Sequence, residues 1–282
     1  MFTKFYVRAC RRACRFFVDL KHSSRSSLCA RMSQSSDLAC EFYDALNDGK
    51  LGLAFQPVVH SRHPHRVLYY EGLLRSLAEP FPCNPIALLE RLGRIRLLDA
   101  SVVSNVVRLL DRNPALTLGC NISALSAALD PGWEALGGLF QDRPELAGRL
   151  VIEITESACF GSHADALAFF RHFTHLGCKL AVDDLGTGCF TLDFVAQARP
   201  GIIKIDRSYL VAAREGGPAL KRLAELVETC RDISPVVVLE GIETPADHQL
   251  ACTVNVEWLQ GFLFGMPRID HPDIPGNGSL KF

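Results

Sequence analysis

The sequence predicts an α/β fold, and specifically a single (β/α)8 TIM-like barrel, on three observations. Short apolar runs alternate with longer helical segments from residue 50 to the end, which is typical of consecutive βα units. Eight of these runs read as strands, and eight is the number that a closed barrel needs. Nearly every one carries, at or near its end, a polar residue that an apolar strand does not require.

The length and composition agree with one large folded unit. The chain has 282 residues, 48% of them hydrophobic and 22% charged, within the range that barrels occupy as a single domain. A net charge of -1 gives no electrostatic reason to expect binding to a nucleic-acid polymer. No run approaches the roughly 18 consecutive apolar residues of a membrane span, so we expect no transmembrane segment and a cytoplasmic location.

The first 36 residues differ from the rest, and we expect a basic, disordered arm there, with Met32 as an alternative start. An alternative is an amphipathic helix that contacts anionic lipid, because arginines and phenylalanines alternate in this segment. The expected barrel covers residues 37–270, and residues 271–282 form a tail. The basic residues of the amino-terminal arm, opposed by Asp19, include Arg8, Arg11, Arg12, Arg15, Lys21, Arg25 and Arg31.

The strands and helices follow in order along the chain. The expected strands are Leu53–Val59, Val67–Leu74, Leu116–Ile122, Leu150–Ile154, Lys179–Asp183, Gly201–Ile205, Val236–Glu240 and Glu257–Gly261. The expected helices are Pro85–Leu110, His163–Leu176, Pro218–Cys230 and one that begins at Pro245, with Thr244 as its N-cap.

Cysteines and histidines offer weaker signals. The 11 cysteines include no CxxC pair, so we expect reduced thiols that pack as small apolar side chains. His60, His63 and His65 alternate, as zinc ligands can, but a solvated hairpin loop around Pro64 is the favoured interpretation.

The polar residues at the strand ends are the main functional signal. In a barrel the carboxyl ends of the strands face one mouth, so these side chains converge there. Each one alone could cap a helix, but Glu and Lys are poor caps, and so many carboxylates require neutralising cations. An oxygen-only ligand set suits Mg²⁺ or Mn²⁺ and metal-assisted chemistry at phosphate. The set is Glu71, Asn121, Glu153, Asp183, Asp184, Lys204, Glu240 and Gln260.

Eight short motifs, in order, give the chain a resemblance to the EAL phosphodiesterase family. The first two are Phe55-Gln-Pro-Val58 and Tyr70-Glu-Gly-Leu-Leu-Arg75, with Gly72 where the family usually has alanine. The others begin at Cys120, Glu153, Asp183, Ile203, Glu240 and Gln260, and the resemblance spans roughly residues 37–270. The sequence also departs from the usual residues of the family at Leu185, at the Cys189-Phe190-Thr191 segment and at Leu239.

The resemblance implies a role for each matching residue. Glu71, Asn121, Glu153 and Asp183 would bind one metal ion, and Asp183 and Asp184 a second. Lys204 and Glu240 would position and deprotonate the attacking water, with Gln260 in support. Gln56, Leu73, Arg75 and Asp206 would bind substrate, and Glu156 and Glu243 would support the mobile loop that follows Asp184. The alternative for Arg75 is a surface pair with Glu79, and for Asp206 a pair with Arg207 or a cap of the next turn.

The activity that the resemblance implies is hydrolysis of cyclic di-GMP to linear pGpG with two Mg²⁺ or Mn²⁺ ions, by a homodimer. The alternative is a catalytically silent receptor of cyclic di-GMP or a regulator that binds a protein partner. Gly72 and the altered 185–191 loop keep this alternative open.

Overall fold

The computed structural model describes residues 27–186 and 188–274 and contains a closed eight-stranded barrel surrounded by helices. The predicted fold class is confirmed. The strands are β1 (Leu51–His60), β2 (His63–Ser76), β3 (Leu118–Ser123), β4 (Leu150–Thr155), β5 (Lys179–Leu185), β6 (Ile202–Ile205), β7 (Val237–Leu239) and β8 (Trp258–Gln260).

The helices fill the connections between these strands. They are α1 (Ser27–Asn47), α2 (Pro85–Arg91), α3 (Ile95–Arg112), α4 (Pro131–Asp142), α5 (Pro144–Ala147), α6 (His163–His175), α7 (Leu192–Ala198), α8 (Arg207–Ala213), α9 (Gly217–Ile233) and α10 (Pro245–Thr253). The start of α10 matches the prediction, because Thr244 caps it and exchanges hydrogen bonds with Asp247 in a capping box.

Two segments differ from the expectation for an ideal barrel. β1 runs antiparallel to both β2 and β8, because only Ser61 and Arg62 separate β1 from β2 and so short a turn reverses the chain. The predicted helix Pro85–Leu110 is two helices, since Gly93 lies between them with a φ of 62° that helical geometry excludes.

The described part of the chain begins with a helix. α1 begins at Ser27, inside the segment expected to be a disordered arm, and Phe42 and Leu46 on this helix are fully buried against the barrel's outer layer. The rest of the expected arm, residues 1–26, and the end of the expected tail, residues 275–282, lie outside the described residues. Within the described part, no helix has the length and apolar character to cross a membrane.

The apolar interior has two parts. The larger one packs the helices against the outside of the barrel. The smaller one fills the barrel floor with Val58, Tyr69, Val151, Ala181, Ile202, Val238 and Trp258. Because the floor is filled, the polar side chains of the strands have only the opposite mouth to face.

Candidate active site

The mouth of the barrel contains a cavity of about 340 Å³ at the carboxyl ends of the parallel strands. Most of the residues that the sequence singled out line it: Gln56, Glu71, Leu73, Asp183, Asp184, Lys204, Asp206, Glu240, Glu243 and Gln260. The barrel therefore brings together side chains that are separated by up to about 200 positions in sequence.

Lys204 on β6 lies at the centre of the acidic cluster. Its Nζ is 2.9 Å from Oε2 of Glu71 and from Oε2 of Glu153, and 2.8 Å from Oδ1 of Asp183 and from Oε1 of Glu240. The lysine side chain is 1% exposed. A buried ammonium group is stable in such a place only because these carboxylates replace the water that it has lost.

Amide side chains complete the contacts of Glu71. Asn121 Nδ2 donates to Oε1 of Glu71 at 2.6 Å, and Gln260 Nε2 donates to Oε2 at 2.6 Å. Gln56, opposite Glu71 in the β1–β2 register, donates to the carbonyl of Gly265 at 2.9 Å. The bonds from Asn121 and Gln260 fix the orientation of the Glu71 carboxylate.

A second acidic group lies closer to the opening. Asp183, Asp184 and Glu240 can place one carboxylate oxygen each within 4.8 Å of the others. Asp184 has a φ of 58°, a backbone conformation that few residues other than glycine adopt. Strain of this kind concentrates at functional sites, and here it accompanies two adjacent aspartates that both line the cavity.

The inner cluster carries more negative than positive charge. Burial raises the pKa values of Glu153, Asp183 and Glu240, and the nearby charge of Glu71 adds to this shift. Burial acts in the same direction on Glu71 itself, but the Lys204 ammonium and the amide donors outweigh it and lower its pKa. The cluster therefore favours the arrival of further positive charge.

The ligand set fits divalent cations. Five carboxylates and one ammonium group leave a formal charge of -4, which two divalent ions would balance. Buried oxygens also remain without a hydrogen bond from the described residues, namely Asn121 Oδ1, Glu153 Oε1 and Gln260 Oε1. Glu71, Glu153 and Asp183 form one group that could hold a metal ion, and Asp183, Asp184 and Glu240 form another.

The loop after Asp184 is anchored by residues that the sequence analysis treated as departures from the family. Cys189 forms a disulfide with Cys159 in the β4–α6 connection, which corrects the expectation of reduced thiols for this pair. Phe190 stacks on Phe160 with ring centroids 4.8 Å apart. No cysteine spacing motif marks the pair, since 30 positions separate the two residues in sequence.

Glu156 faces the same loop, as its predicted role requires. The backbone N–H groups of Gly186, Gly188 and Phe190 lower its pKa, but burial outweighs them and raises it to about 7. That the carboxylate supports the loop stays a prediction.

Other predicted residues lie outside the inner cluster. Arg75 lines a neighbouring pocket with Arg268, and its Nη1 donates to the carbonyl of Leu74 at 2.8 Å. Glu243 lies at the cavity rim, 3.9 Å from Nη1 of Arg207. Their proposed contacts with substrate and loop stay predictions.

The remaining departures from the family are matters of packing. A Cβ on Gly72 would lie 3.0 Å from a ring carbon of Phe55, so the strand pair is tight at this position. Leu185 and Leu239 are buried in the larger apolar core. None of the three changes a carboxylate or amide of the cavity.

The expected histidine loop is shorter than predicted. His60 ends β1 and His63 begins β2. Among the described residues, the groups of three or more side chains that could hold a metal ion consist of carboxylates and include none of these histidines.

Several residues of the site were missed by the sequence analysis. Arg207, Gly241, Gly261 and Phe262 also line the cavity. Tyr69 lies beneath it, and its hydroxyl donates to Oε2 of Glu153 at 3.0 Å. The two-residue period of a strand was the available signal, because it places Tyr69 and Glu71 on the same face of β2.

Comparison with known proteins agrees with this geometry. The sequence model of the EAL domain matches residues 39–267. The chain belongs to the EAL domain family. Its relatives include the cyclic di-GMP phosphodiesterase PdeR of Escherichia coli (strain K12), which is 26% identical over 231 residues, 79% of this chain and 35% of that protein.

Solved structures of EAL domains share the fold. The PaMucR phosphodiesterase in complex with c-di-GMP matches with a TM-score of 0.68 at 25% identity, over 78% of this chain and 97% of that chain. Klebsiella pneumoniae BlrP1 with manganese and cyclic di-GMP matches with a TM-score of 0.64 at 25% identity, over 78% of this chain and 56% of that one. The chain spans about a third of the length of the curated relatives it matches.

Proposed function

We propose that this EAL domain is a metal-dependent phosphodiesterase that hydrolyses cyclic di-GMP to linear pGpG. One observation carries the proposal: five carboxylates, two amides and a lysine from seven strands of the barrel meet at one mouth. The names of relatives that act on cyclic di-GMP support the choice of substrate. A homodimer, a protein partner and a cytoplasmic location stay predictions.

In this proposal the acidic residues hold two divalent cations, Mg²⁺ or Mn²⁺. Glu71, Asn121, Glu153 and Asp183 would hold one ion, and Asp183 and Asp184 would hold the other. Glu71, Glu153 and Asp183 form one group of carboxylates placed to share an ion, and Asp183 and Asp184 belong to another. When bound, such ions neutralise phosphate charge and make water a better nucleophile.

The chain's own groups would manage the proton and the substrate. Glu240 would take a proton from the attacking water as the water oxygen bonds to phosphorus and the ester P–O bond breaks, and the leaving sugar oxygen would take up a proton from solvent. Lys204, whose Nζ is 2.8 Å from Oε1 of Glu240, would hold this carboxylate in place. Gln56 and Asp206 line the same cavity and offer an amide and a carboxylate to the edge of a guanine base.

A direct assay tests the proposal. Purified protein is incubated with cyclic di-GMP and Mg²⁺ or Mn²⁺, and the linear product is followed by chromatography. We expect product from the wild type, and loss of activity in Glu71→Ala and Asp184→Asn. Glu225→Ala is the control, because this exposed glutamate pairs with Lys221 across one helical turn of α9 and should leave turnover unchanged.

The proposed phosphodiesterase activity would be overturned by tight binding of cyclic di-GMP with no linear product in the presence of either metal. That result would favour the receptor alternative instead.

A further inference from the structure

Tyr69 is a buried polar residue in an otherwise apolar place. It lies on β2 two residues before Glu71, so both side chains point into the barrel. Its ring is 1% exposed and packs in the barrel floor with Val58, Val151 and Val238. A phenylalanine would fill the same space, so the hydroxyl group calls for a separate explanation.

The hydroxyl group reaches one oxygen of a predicted metal ligand. It donates to Oε2 of Glu153 at 3.0 Å, and Lys204 Nζ lies 2.9 Å from the same oxygen. Oε1 of Glu153 is buried and receives no hydrogen bond from the described residues. The carboxylate therefore has one oxygen held by two donors and one oxygen left for another partner.

The neighbouring strand is shaped to permit this contact. Gly119 on β3 lies directly beside it, and a Cβ there would approach to 2.7 Å from Cε2 of Tyr69 and closer still to Oε1 of Glu153. Any side chain at this position would push the ring and the carboxylate apart. The absence of a side chain at Gly119 thus matches the presence of a large one at Tyr69.

We propose that Tyr69 is a positioning residue, which holds Oε2 of Glu153 so that Oε1 is presented to a divalent cation. The inference rests on the proposed function only in that the cation belongs to the two-metal site. Rotation about the terminal torsion of a glutamate is soft, so an unheld carboxylate would exchange its two oxygens. Groups that hydrogen-bond a metal ligand orient it, and their removal weakens metal binding about 10- to 100-fold.

Metal affinity, measured with Mn²⁺ alone by titration calorimetry, tests the inference without relying on turnover. Tyr69→Phe keeps the ring and removes the hydroxyl group, and we expect Mn²⁺ to bind about 10- to 100-fold more weakly. Tyr43→Phe is the matched control, because it also removes a tyrosine hydroxyl group, which donates to the carbonyl of Arg94 and does not line the cavity. Its Mn²⁺ affinity should equal that of the wild type.

A double-mutant cycle separates positioning from a structural role. In a Glu153→Ala background the Tyr69→Phe substitution should cause no further loss, because the hydroxyl group acts through the Glu153 carboxylate, which alanine lacks. Unchanged Mn²⁺ affinity in Tyr69→Phe, or an equal loss in the Glu153→Ala background, would overturn the inference. Circular dichroism must show that Tyr69→Phe is folded, as we expect because the variant keeps the ring that packs in the barrel floor.

The wild type distinguishes this inference from the proposed function. If the wild type binds Mn²⁺ but does not hydrolyse cyclic di-GMP, the proposed phosphodiesterase activity is overturned. The Mn²⁺ affinity of Tyr69→Phe still decides the role of Tyr69 in that case. A wild type that binds no Mn²⁺ overturns both.

Discussion

Single residues decide the charge balance of the site, and Lys204 has the largest part in it. One ammonium group contacts Glu71, Glu153, Asp183 and Glu240, each at 2.8 or 2.9 Å. The attraction offsets the cost of removing these charges from water, and loss of one partner leaves the others uncompensated. The same position makes the lysine a competitor of bound metal for those carboxylates.

Lys204→Gln should therefore destabilise the metal-free protein by about 3–5 kcal/mol, as expected for breaking a buried ion cluster. Added Mn²⁺ should raise the melting temperature of the variant more than that of the wild type, because the ion replaces the lost positive charge. Thermal unfolding with and without Mn²⁺ measures both effects. Lys221→Gln, which removes an exposed lysine of α9, should change neither, and an unaltered melting temperature in Lys204→Gln would contradict this account.

The sequence was informative about the charged side chains at the strand ends. Glu and Lys at strand ends have no structural reason to be there, and most of those predicted do line one cavity. Tyr69 was missed because an aromatic residue in a strand needs no explanation until its hydroxyl partner is seen. Cys159 and Cys189 were missed for a similar reason, since only the fold brings them together.

At the scale of elements, a carboxylate is buried outside the cavity at the junction between α3 and β3. Asp99 accepts hydrogen bonds from the backbone N–H of Ser123 at 3.0 Å and from Oγ of Ser126 at 2.5 Å. Burial raises the pKa of Asp99 to about 7 despite these donors. Its proton is therefore held more tightly in the folded than in the unfolded chain.

This difference predicts a pH dependence of stability. The raised pKa means that folding favours the protonated form of Asp99. Its contribution to the free energy of unfolding is therefore present at low pH and is lost as pH rises toward 7. Relative to Asp99→Asn, the wild type should lose about 2–3 kcal/mol of unfolding free energy between pH 5 and pH 7. Urea unfolding of both proteins across this range measures it. A constant difference between the two would show that Asp99 is not the titrating group.

The disulfide joins the connection after β4 to the connection after β5. Cys159 follows β4 and Cys189 follows β5, and the bond closes a loop between residues 30 positions apart. A link of this length restricts the unfolded chain and typically stabilises a fold by about 2–4 kcal/mol. The stacked rings of Phe160 and Phe190 hold the same two connections together.

Cys159→Ser should therefore lower the unfolding free energy by about 2–4 kcal/mol. Dithiothreitol should have the same effect on the wild type and little on the variant. Denaturant titrations with and without reductant measure both. Cys252→Ser, at an exposed free cysteine, is the control, and equal sensitivity of Cys159→Ser to reductant would refute the assignment.

Element boundaries show which local signals can be read from a sequence. Strong caps such as Thr244 mark a helix start correctly, and the expected strands mostly lie within a few residues of the observed ones. The break at Gly93 was missed because an isolated glycine inside a helical pattern is often tolerated. The reversed direction of β1 depends on which strand pairs with which, and periodicity carries no information about that.

At the scale of the whole molecule, α1 is part of the barrel's outer layer and no mere extension of it. Phe42 is 1% exposed and its ring lies 5.1 Å from that of Phe81, while Oη of Tyr43 donates to the carbonyl of Arg94. The sequence hid this helix because the basic residues before it favoured reading the region as an arm.

Phe42→Ala should destabilise the entire domain by about 3–5 kcal/mol, the usual cost of truncating a buried phenylalanine. Chemical unfolding followed by circular dichroism measures the change. Phe262→Ala, at a ring that is 52% exposed, should stay within about 0.5 kcal/mol of the wild type. Equal stability of the two variants would mean that α1 is not packed as described.

The antiparallel direction of β1 also determines where the chain approaches the domain. Leu51, the first residue of β1, pairs with Ser76, the last residue of β2, so the chain arrives from α1 on the rim that surrounds the cavity. In a barrel with eight parallel strands it would arrive at the closed floor on the opposite side. Anything that pulls on or reorients α1 would therefore act first at the rim of the cavity, with no need to transmit a change through the packed interior.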